Sequence, residues 1–403
     1  MLTFEEALAT IKEKLGEAMR KPATEVLPLE QVRGRVLADD ICADRDYPPF
    51  HRATRDGYAV LASDLGSLPA TLERVGEVRA GEHFAGKLRS TQCIEIMTGA
   101  PLPEGADAVV MIEHVRVRGQ RVEFARAVNP FENIVRRGSE AGSGSRVLER
   151  GRRLNAAEMG LLASVGQARV KVFVGPRIAI LPTGDEVVPV DQQPEWFQIR
   201  NSNAVALSAQ VAAAGGVPRI VGIAPDLKEP LKRLIENGLE ADLLLMSGGV
   251  SMGKYDLVSQ VLNDLGAEIY FQGVAIRPGK PLMFGSVQGK YFFGLPGNPV
   301  STFVTFELFV RPAIALMGGA DFECPVFLRA RMEKIYQQKA GLTSFMPARV
   351  RMESADPVVN LVGWQGSGDL VGVAAANCFL VVHPEQTEIA AGEWVDVLPK
   401  ELN

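Results

Sequence analysis

Residues 177–186, RIAILPTGDE, read as a short strand that runs directly into a turn carrying Thr183, Gly184, Asp185 and Glu186. The apolar stretch Ile178–Leu181 is too short for a helix, and its unbroken hydrophobicity is what burial on both faces of a sheet requires. Downstream, NSNAVALSAQVAAAGG (201–216) is Ala-rich and apolar nearly all round, which predicts a buried helix. VPRIVGIAPD (217–226) is a second strand, LKEPLKRLIENGL (227–239) a second helix, and ADLLLMSGGVS (241–251) a strand ending in a glycine turn. A further helix is expected around 256–265. YFFGL (291–295) then meets the turn PGNP and the helical run VSTFVTFELFVRPAIALMG (300–318). Strands of four to six residues alternating with helices imply a doubly wound α/β domain with a parallel sheet, placed at 176–320.

The flanks differ. Residues 24 to about 175 are short apolar runs cut by Gly and Pro, such as CIEIMTG (93–99) and ADAVVMIEHVRV (106–117), and read as β-rich. They follow an amphipathic first helix in MLTFEEALATIKEKLGEAM. Beyond Gly319, strand alternation returns in FLRARMEKIY and GEWVDVLP, which predicts a small all-β terminal domain. A length of 403 residues fits two to four domains at about 150 residues each. The 40 glycines exceed the usual share of about 7%, so many loops must be tight or closely approached. With 43 Lys and Arg against 48 Asp and Glu, the net charge of −5 offers no global positive field for nucleic acid or an anionic membrane. Cys42, Cys93, Cys324 and Cys378 form no CxxC pair, and four scattered histidines give no metal pattern. No secretory pattern opens the chain, and no apolar run approaches the roughly 18 residues of a membrane span, so the expected location is the cytoplasm.

Ligands of doubly wound sheets bind beyond the carboxyl ends of the strands. Three loops fall there: Thr183–Glu186, Ser247-Gly248-Gly249-Val250-Ser251, and Leu295-Pro296-Gly297-Asn298-Pro299. Each sets Gly beside hydroxyl or amide groups, which suits backbone N–H groups closing on a phosphate or a polar heterocycle. A single such turn is ordinary helix capping; three at one sheet edge point to a site. None matches GxGxxG or GxxxxGK[ST]. Asp185, Glu186, Asp226 and Asp256 bring carboxylates to the same loops, where Mg²⁺ held with phosphate oxygens would make a metal-assisted phosphoryl site. Arg277-Pro278-Gly279-Lys280-Pro281 is a cationic turn suited to an oxyanion. In the β-rich part, Asp56 of RDGYAV and Thr98 of MTGAP are candidate polar anchors, although Asp-Gly is also a common β-turn.

Taken in order, DGYAV, MTGAPLPEGADAVV, LPTGDE, IRNSN, SGGVSMGKYD, IRPGKP and LPGNPVS resemble the molybdopterin molybdotransferase family, to which the gephyrin E domain belongs. The resemblance runs along nearly the whole chain. It implies a homodimer with four domains: a linking domain (1–46 and 141–175) interrupted by a β-rich insertion (47–140), a central molybdopterin-binding α/β domain (176–320), and a small C-terminal β-barrel (321–403). It implies insertion of molybdate into adenylylated molybdopterin, dependent on Mg²⁺, with release of AMP. On this reading Thr183, Gly184, Asp185, Ser247, Gly248, Gly249 and Ser251 hold the pterin and its phosphates through backbone N–H groups, and Asn298 belongs to the same binding set. Asp185, Glu186, Asp226 and Asp256 position the metal and water; Arg277, Lys280 and Pro281, with Arg349 and Ser367, take molybdate. Asp56 and Thr98 contribute across the dimer. The resemblance further implies a molybdopterin adenylyltransferase as donor and a molybdoenzyme or cofactor carrier as acceptor.

The chain departs from the family pattern at Ala53-Thr54-Arg55, where Ser-Ala-Met is usual, at Glu140 in place of Asp, and at Arg277 in place of Lys. Two other readings share the fold: an adenylyltransferase of molybdopterin, which would resemble the central domain alone, and a non-catalytic dimeric scaffold, which would not need a charged cleft.

Overall fold

The computed structural model describes residues 1–18, 22–249, 257–353 and 356–400. Its residues group into two compact units: Met1–Val26, Gly34–Ala38 and the chain from Lys171 onward form the first, and Leu27–Arg33 with Asp39–Val170 the second.

In the first unit, the quoted strand Arg177–Pro182 lies inside a six-stranded sheet, flanked by Val217–Ile220 and Leu243–Ser247, with Lys290–Leu295, Met283–Val287 and Glu268–Gln272 beyond. The first four strands are parallel, as expected; the last two run antiparallel to their neighbours, so the sheet is mixed rather than parallel. The cause is local. Gln288 and Gly289 both take positive φ (52° and 75°), the pair of left-handed residues that closes a two-residue hairpin between Met283–Val287 and Lys290–Leu295. Ile178 and Ile180 face one core, Ala179 and Leu181 the other, so both sides of the strand are buried.

Helix Ser202–Ala213 buries Ala204, Leu207, Gln210 and Val211 but leaves Val205 half exposed, so the expectation of all-round burial is corrected. Helix Lys228–Gly238 buries Leu231 and Ile235, and helix Leu257–Asp264 buries Val258, Val261 and Leu262. The N-terminal helix Phe4–Ala18 places Ala7, Leu8, Ile11 and Leu15 in the core that also holds Phe271, Val274 and Phe309. The run Pro299–Met317 is, by length and composition, apolar enough to cross a membrane, which corrects the sequence reading; it is mostly buried, as a core helix of a folded unit is. Its middle, Phe306–Val310, is a π-helical turn.

After the central sheet, Thr343–Glu353, Asp356–Leu361, Leu328–Met332, Trp394–Pro399 and Cys378–Val382 pair in that order, and the last returns to the first. This closed five-stranded barrel buries Ala330, Met332, Val359, Leu380 and Val397. Ile276–Arg277 adds to it as a short parallel strand beside Thr343–Ser344.

The second unit contains a separate mixed sheet, ordered Ala108–Met111, Gly57–Val60, Gln92–Ile96, Ala70–Val78, Arg121–Phe124, Val115–Arg118. Tyr58 and Phe124 meet edge to face in its core, 6.1 Å apart. The Asp-Gly pair is not a β-turn: Gly57 opens a strand between two others, and a Cβ there would collide with the Val110 carbonyl oxygen. Helix Ala156–Ser164 is an element the β-rich reading omitted; it begins with Asn155 and Glu158 in a reciprocal capping box.

Candidate functional site

The carboxyl ends of the parallel strands open into a cleft of about 1070 Å³. Arg177–Pro182 delivers Thr183, Gly184 and Glu186 to its wall, Leu243–Ser247 delivers Ser247, Gly248 and Gly249, and Lys290–Leu295 delivers Gly297 and Asn298. Asp226, at the end of the Val217 segment, and Pro281 complete the predicted residues on the wall. The three strand-end loops thus meet as the sequence implied.

Their internal bonding shows what remains for a ligand. Thr183 N–H donates to Ser247 O (2.9 Å), Gly184 N–H to Ala224 O (3.1 Å), and Gly248 N–H to Leu295 O (3.2 Å). These three amides close the turns upon one another and are spent within the protein. Residues with polar side chains also line the cleft, among them Thr183, Glu186, Asn203, Asp226, Ser247, Asn298 and Ser301. Thr183 Oγ1 is buried and has no hydrogen-bond partner among the described residues, and an unmet buried hydroxyl is costly until something bonds it. Gly248 and Gly249 hold φ of 97° and 65°, and a Cβ on Gly248 would lie 2.7 Å from Thr183 O, so glycine is required by both conformation and space.

The site expected from the sequence omits the turn Asn201-Ser202-Asn203, which lines the cleft. Asn201 Oδ1 accepts from Ala204 N–H at 3.1 Å and caps helix Ser202–Ala213. Asn203 Nδ2 donates to Ser247 Oγ (2.9 Å) and Gly297 O (2.7 Å), tying two of the loops together. The segment IRNSN carried the signal, two amides flanking a serine at a helix start.

Among the acids, Asp226 N–H donates to Asp185 Oδ1 at 3.0 Å. Glu186 and Asp226 line the cleft, whereas Asp185 is exposed and not on its wall. Among the described residues, no three His, Cys, Asp or Glu side chains come together as a metal cluster. This oxygen-only, sparse set fits a hard cation that takes one or two carboxylates and completes its shell with phosphate and water. Ser251 and Asp256 lie outside the described residues.

The cationic turn is divided. Pro281 reaches the cleft, but Arg277 donates to Gln338 Oε1 (3.0 Å) and to the buried Ser344 Oγ (3.2 Å) of the barrel. Lys280 is exposed and, like Arg277 and Arg349, is not on the cleft wall; Arg349 lies on a barrel strand opposite Asn360. Ser367 Oγ accepts from Asn298 Nδ2 at 2.8 Å, and Ser367 O accepts from Val300 N–H at 2.9 Å, so Ser367 braces the Asn298 turn beside the wall residues Gly368 and Leu370. Asp369 caps the helix Leu370–Ala375; N–H groups of Gly372 and Gln365 hold its carboxyl below the ordinary range.

Asp56 and Thr98 belong to the second unit. Thr98 N–H and Thr98 Oγ1 both donate to Asp56 Oδ1 at 2.7 Å, and these bonds lower the Asp56 pKa. Of the departures, Glu140 forms a long ion pair with Arg52, 3.6 Å.

Comparisons with known proteins cover all of these parts. Residues 2–166 match the "MoeA N-terminal region (domain I and II)", 179–316 a "Probable molybdopterin binding domain", and 329–400 the "MoeA C-terminal region (domain IV)". The chain is 35% identical to a molybdopterin molybdenumtransferase of Haemophilus influenzae over 99% of this chain and 98% of that protein. It is 36% identical to one from Nostoc over 93% and 88%. A crystal structure of a molybdopterin biosynthesis MoeA protein from Pyrococcus horikoshii superposes with a TM-score of 0.83 at 30% identity, covering 99% of this chain and 100% of that one.

Proposed function

Because the chain belongs to the MoeA family of molybdopterin molybdenumtransferases, and so is a transferase that inserts molybdenum in molybdenum cofactor biosynthesis, we propose that its substrates are adenylylated molybdopterin and molybdate. Molybdate joins the dithiolene, the pyrophosphate link is cleaved, and AMP leaves with the molybdenum cofactor as the other product. The observation that carries this reading is the cleft at the strand ends, whose wall joins a buried unpaired hydroxyl, Thr183 Oγ1, to the carboxylates of Glu186 and Asp226.

In this site Thr183, Ser247, Asn203, Asn298 and Ser301 offer hydroxyl and amide groups to the pterin and phosphates, while Gly248 and Gly249 keep the floor free of side chains. Ser251 and Asp256 belong to the same proposal. Asp185, Glu186, Asp226 and Asp256 would hold Mg²⁺, which when bound neutralises charge on the pyrophosphate. Glu186 and Asp226 orient the attacking water. Pro281 marks the molybdate end, with Arg277, Lys280, Arg349 and Ser367 as its cationic and polar surroundings. Cations fixed in a protein frame stabilise the charge that gathers as the oxyanion meets the dithiolene.

The protein works as a cytoplasmic homodimer in which Asp56 and Thr98 serve the partner's cleft. It receives substrate from a molybdopterin adenylyltransferase and passes product to a molybdoenzyme or carrier. The division into 1–46 with 141–175, 47–140, 176–320 and 321–403 is part of the same proposal, supported by each large sheet's strands falling within one of these ranges, the short Ile276–Arg277 strand excepted.

The test is direct. Purified protein is given adenylylated molybdopterin, molybdate and Mg²⁺, and AMP is measured, with adenylylation of molybdopterin by ATP as the parallel assay. AMP release that depends on molybdate supports the reading; activity in the ATP assay alone refutes it.

A further inference from the structure

We infer that the Trp196–Phe197 corner is the subsite for the nucleobase of the substrate. The inference rests on the proposed adenylylated substrate and adds a group that neither the cleft nor the family match assigns.

Trp196 is 94% exposed and Phe197 58%, extreme values for side chains that usually bury most of their surface. The two rings meet edge to face, centroids 5.6 Å apart. They occupy the corner of a turn closed twice: Gln198 N–H donates to Glu195 O at 3.0 Å, and Glu195 N–H donates to Gln198 Oε1 at 3.1 Å. The corner is therefore held in place, not a loose tip. The next residue, Ile199, donates its N–H to Glu186 O at 2.8 Å, and Ile199 and Arg200 line the cleft. Three residues of chain reach at most about 11 Å, so the backbone of Trp196 lies no farther than that from Ile199 of the cleft wall.

The chemistry of the wall says what the corner can add. The cleft's described lining is glycine, proline, serine, threonine, asparagine and a few aliphatics, with Glu186, Arg200, Asp226 and Gln260, and it holds no aromatic ring among the described residues. Such a wall can bond phosphates and heteroatoms, but among the described residues it offers a flat base no aromatic face. A nucleobase recovers that interaction on an exposed tryptophan, and such stacking is sequence-tolerant and needs no hydrogen-bond register. The nucleotide half leaves as AMP, and a subsite at this corner lets it exchange with solvent while the pterin half stays on the floor.

The experiment uses the full-length protein with AMP as the probe, reading tryptophan fluorescence and calorimetric affinity, alongside steady-state turnover of adenylylated molybdopterin. Trp196→Ala is expected to weaken AMP by about tenfold and raise KM by a similar factor. Trp196→Phe, which keeps a ring, is expected to retain most of the affinity while losing the fluorescence change. Equal AMP affinity and KM in wild type and Trp196→Ala overturn the inference and leave the enzyme reading standing. A change in sedimenting mass with unchanged AMP affinity overturns it too, by assigning the rings to a contact between copies. If the wild-type protein releases no AMP from the adenylylated substrate, the substrate reading falls first and this inference with it.

Discussion

Thr183 separates stability from function at a single atom. Its hydroxyl is buried without a partner among the described residues, so removing it takes away a desolvated group rather than a bond. Thr183→Val, nearly isosteric, is expected to leave the melting temperature unchanged or slightly higher while lowering kcat/KM by about tenfold, the loss of one hydrogen bond to a charged ligand. Thermal unfolding and turnover of the same preparation check it. Asp56 makes the opposite case, a carboxylate satisfied within the protein. Thr98 donates to it twice and depresses its pKa. A group with a depressed folded pKa stabilises the fold above its unfolded value, near 3.9, and loses that contribution as pH falls through the lower folded value. In Thr98→Val the backbone N–H bond survives and the hydroxyl bond is lost. The Asp56 titration followed by NMR should then move up toward the ordinary range, and an unmoved titration would contradict the assigned cause. Cys93 is pushed up to about 12 and Cys378 to about 11 by burial, while Cys42 and Cys324 are exposed. At pH 8, a thiol reagent should modify two cysteines in the native protein and four after unfolding.

At the scale of elements, the helical run Pro299–Met317 joins the site to the core. Pro312 has no N–H to offer the Leu308 carbonyl, and the helix widens into a π turn over Phe306–Val310 just before it. Within that turn Glu307 is buried. It accepts from Gln210 Nε2 at 2.7 Å and from Arg311, binding this run to helix Ser202–Ala213. The first turns of both helices supply Asn203 and Ser301 to the cleft. Glu307→Ala strands the half-buried Arg311 and the buried Gln210, and should cost about 3 kcal/mol in chemical denaturation; Glu307→Gln, which can still accept from Gln210, should cost less. Little of this was legible beforehand. Strand and helix existence followed from apolar runs such as Ile178–Leu181, because burial on two faces writes itself directly into composition. The antiparallel edge did not, since its signal is two residues, Gln288 and Gly289, in a conformation that sequence only weakly encodes. The residues of the cleft were legible where glycine marked a strand end. The fate of their amides was not, because Thr183, Gly184 and Gly248 bond to Ser247, Ala224 and Leu295, partners distant in sequence.

At the scale of the molecule, the proposal that Asp56 and Thr98 serve a partner's cleft makes a quantitative prediction. Asp56 lies in one unit and Asp226 in the other. Suppose Asp56→Ala and Asp226→Ala chains are each inactive and are mixed under conditions that exchange subunits. If each cleft uses its partner's Asp56, a mixed dimer has one cleft with both aspartates intact and one with neither. Random exchange makes half the dimers mixed, each with half its sites restored, so activity should return to about a quarter of wild type. If a cleft uses Asp56 of its own chain, every site in every dimer lacks one aspartate and nothing returns. Sedimentation of each variant before mixing separates this second outcome from a failure to dimerise. The same experiment judges the scaffold reading, because a dimer kept for binding alone would show no activity for either substitution to remove.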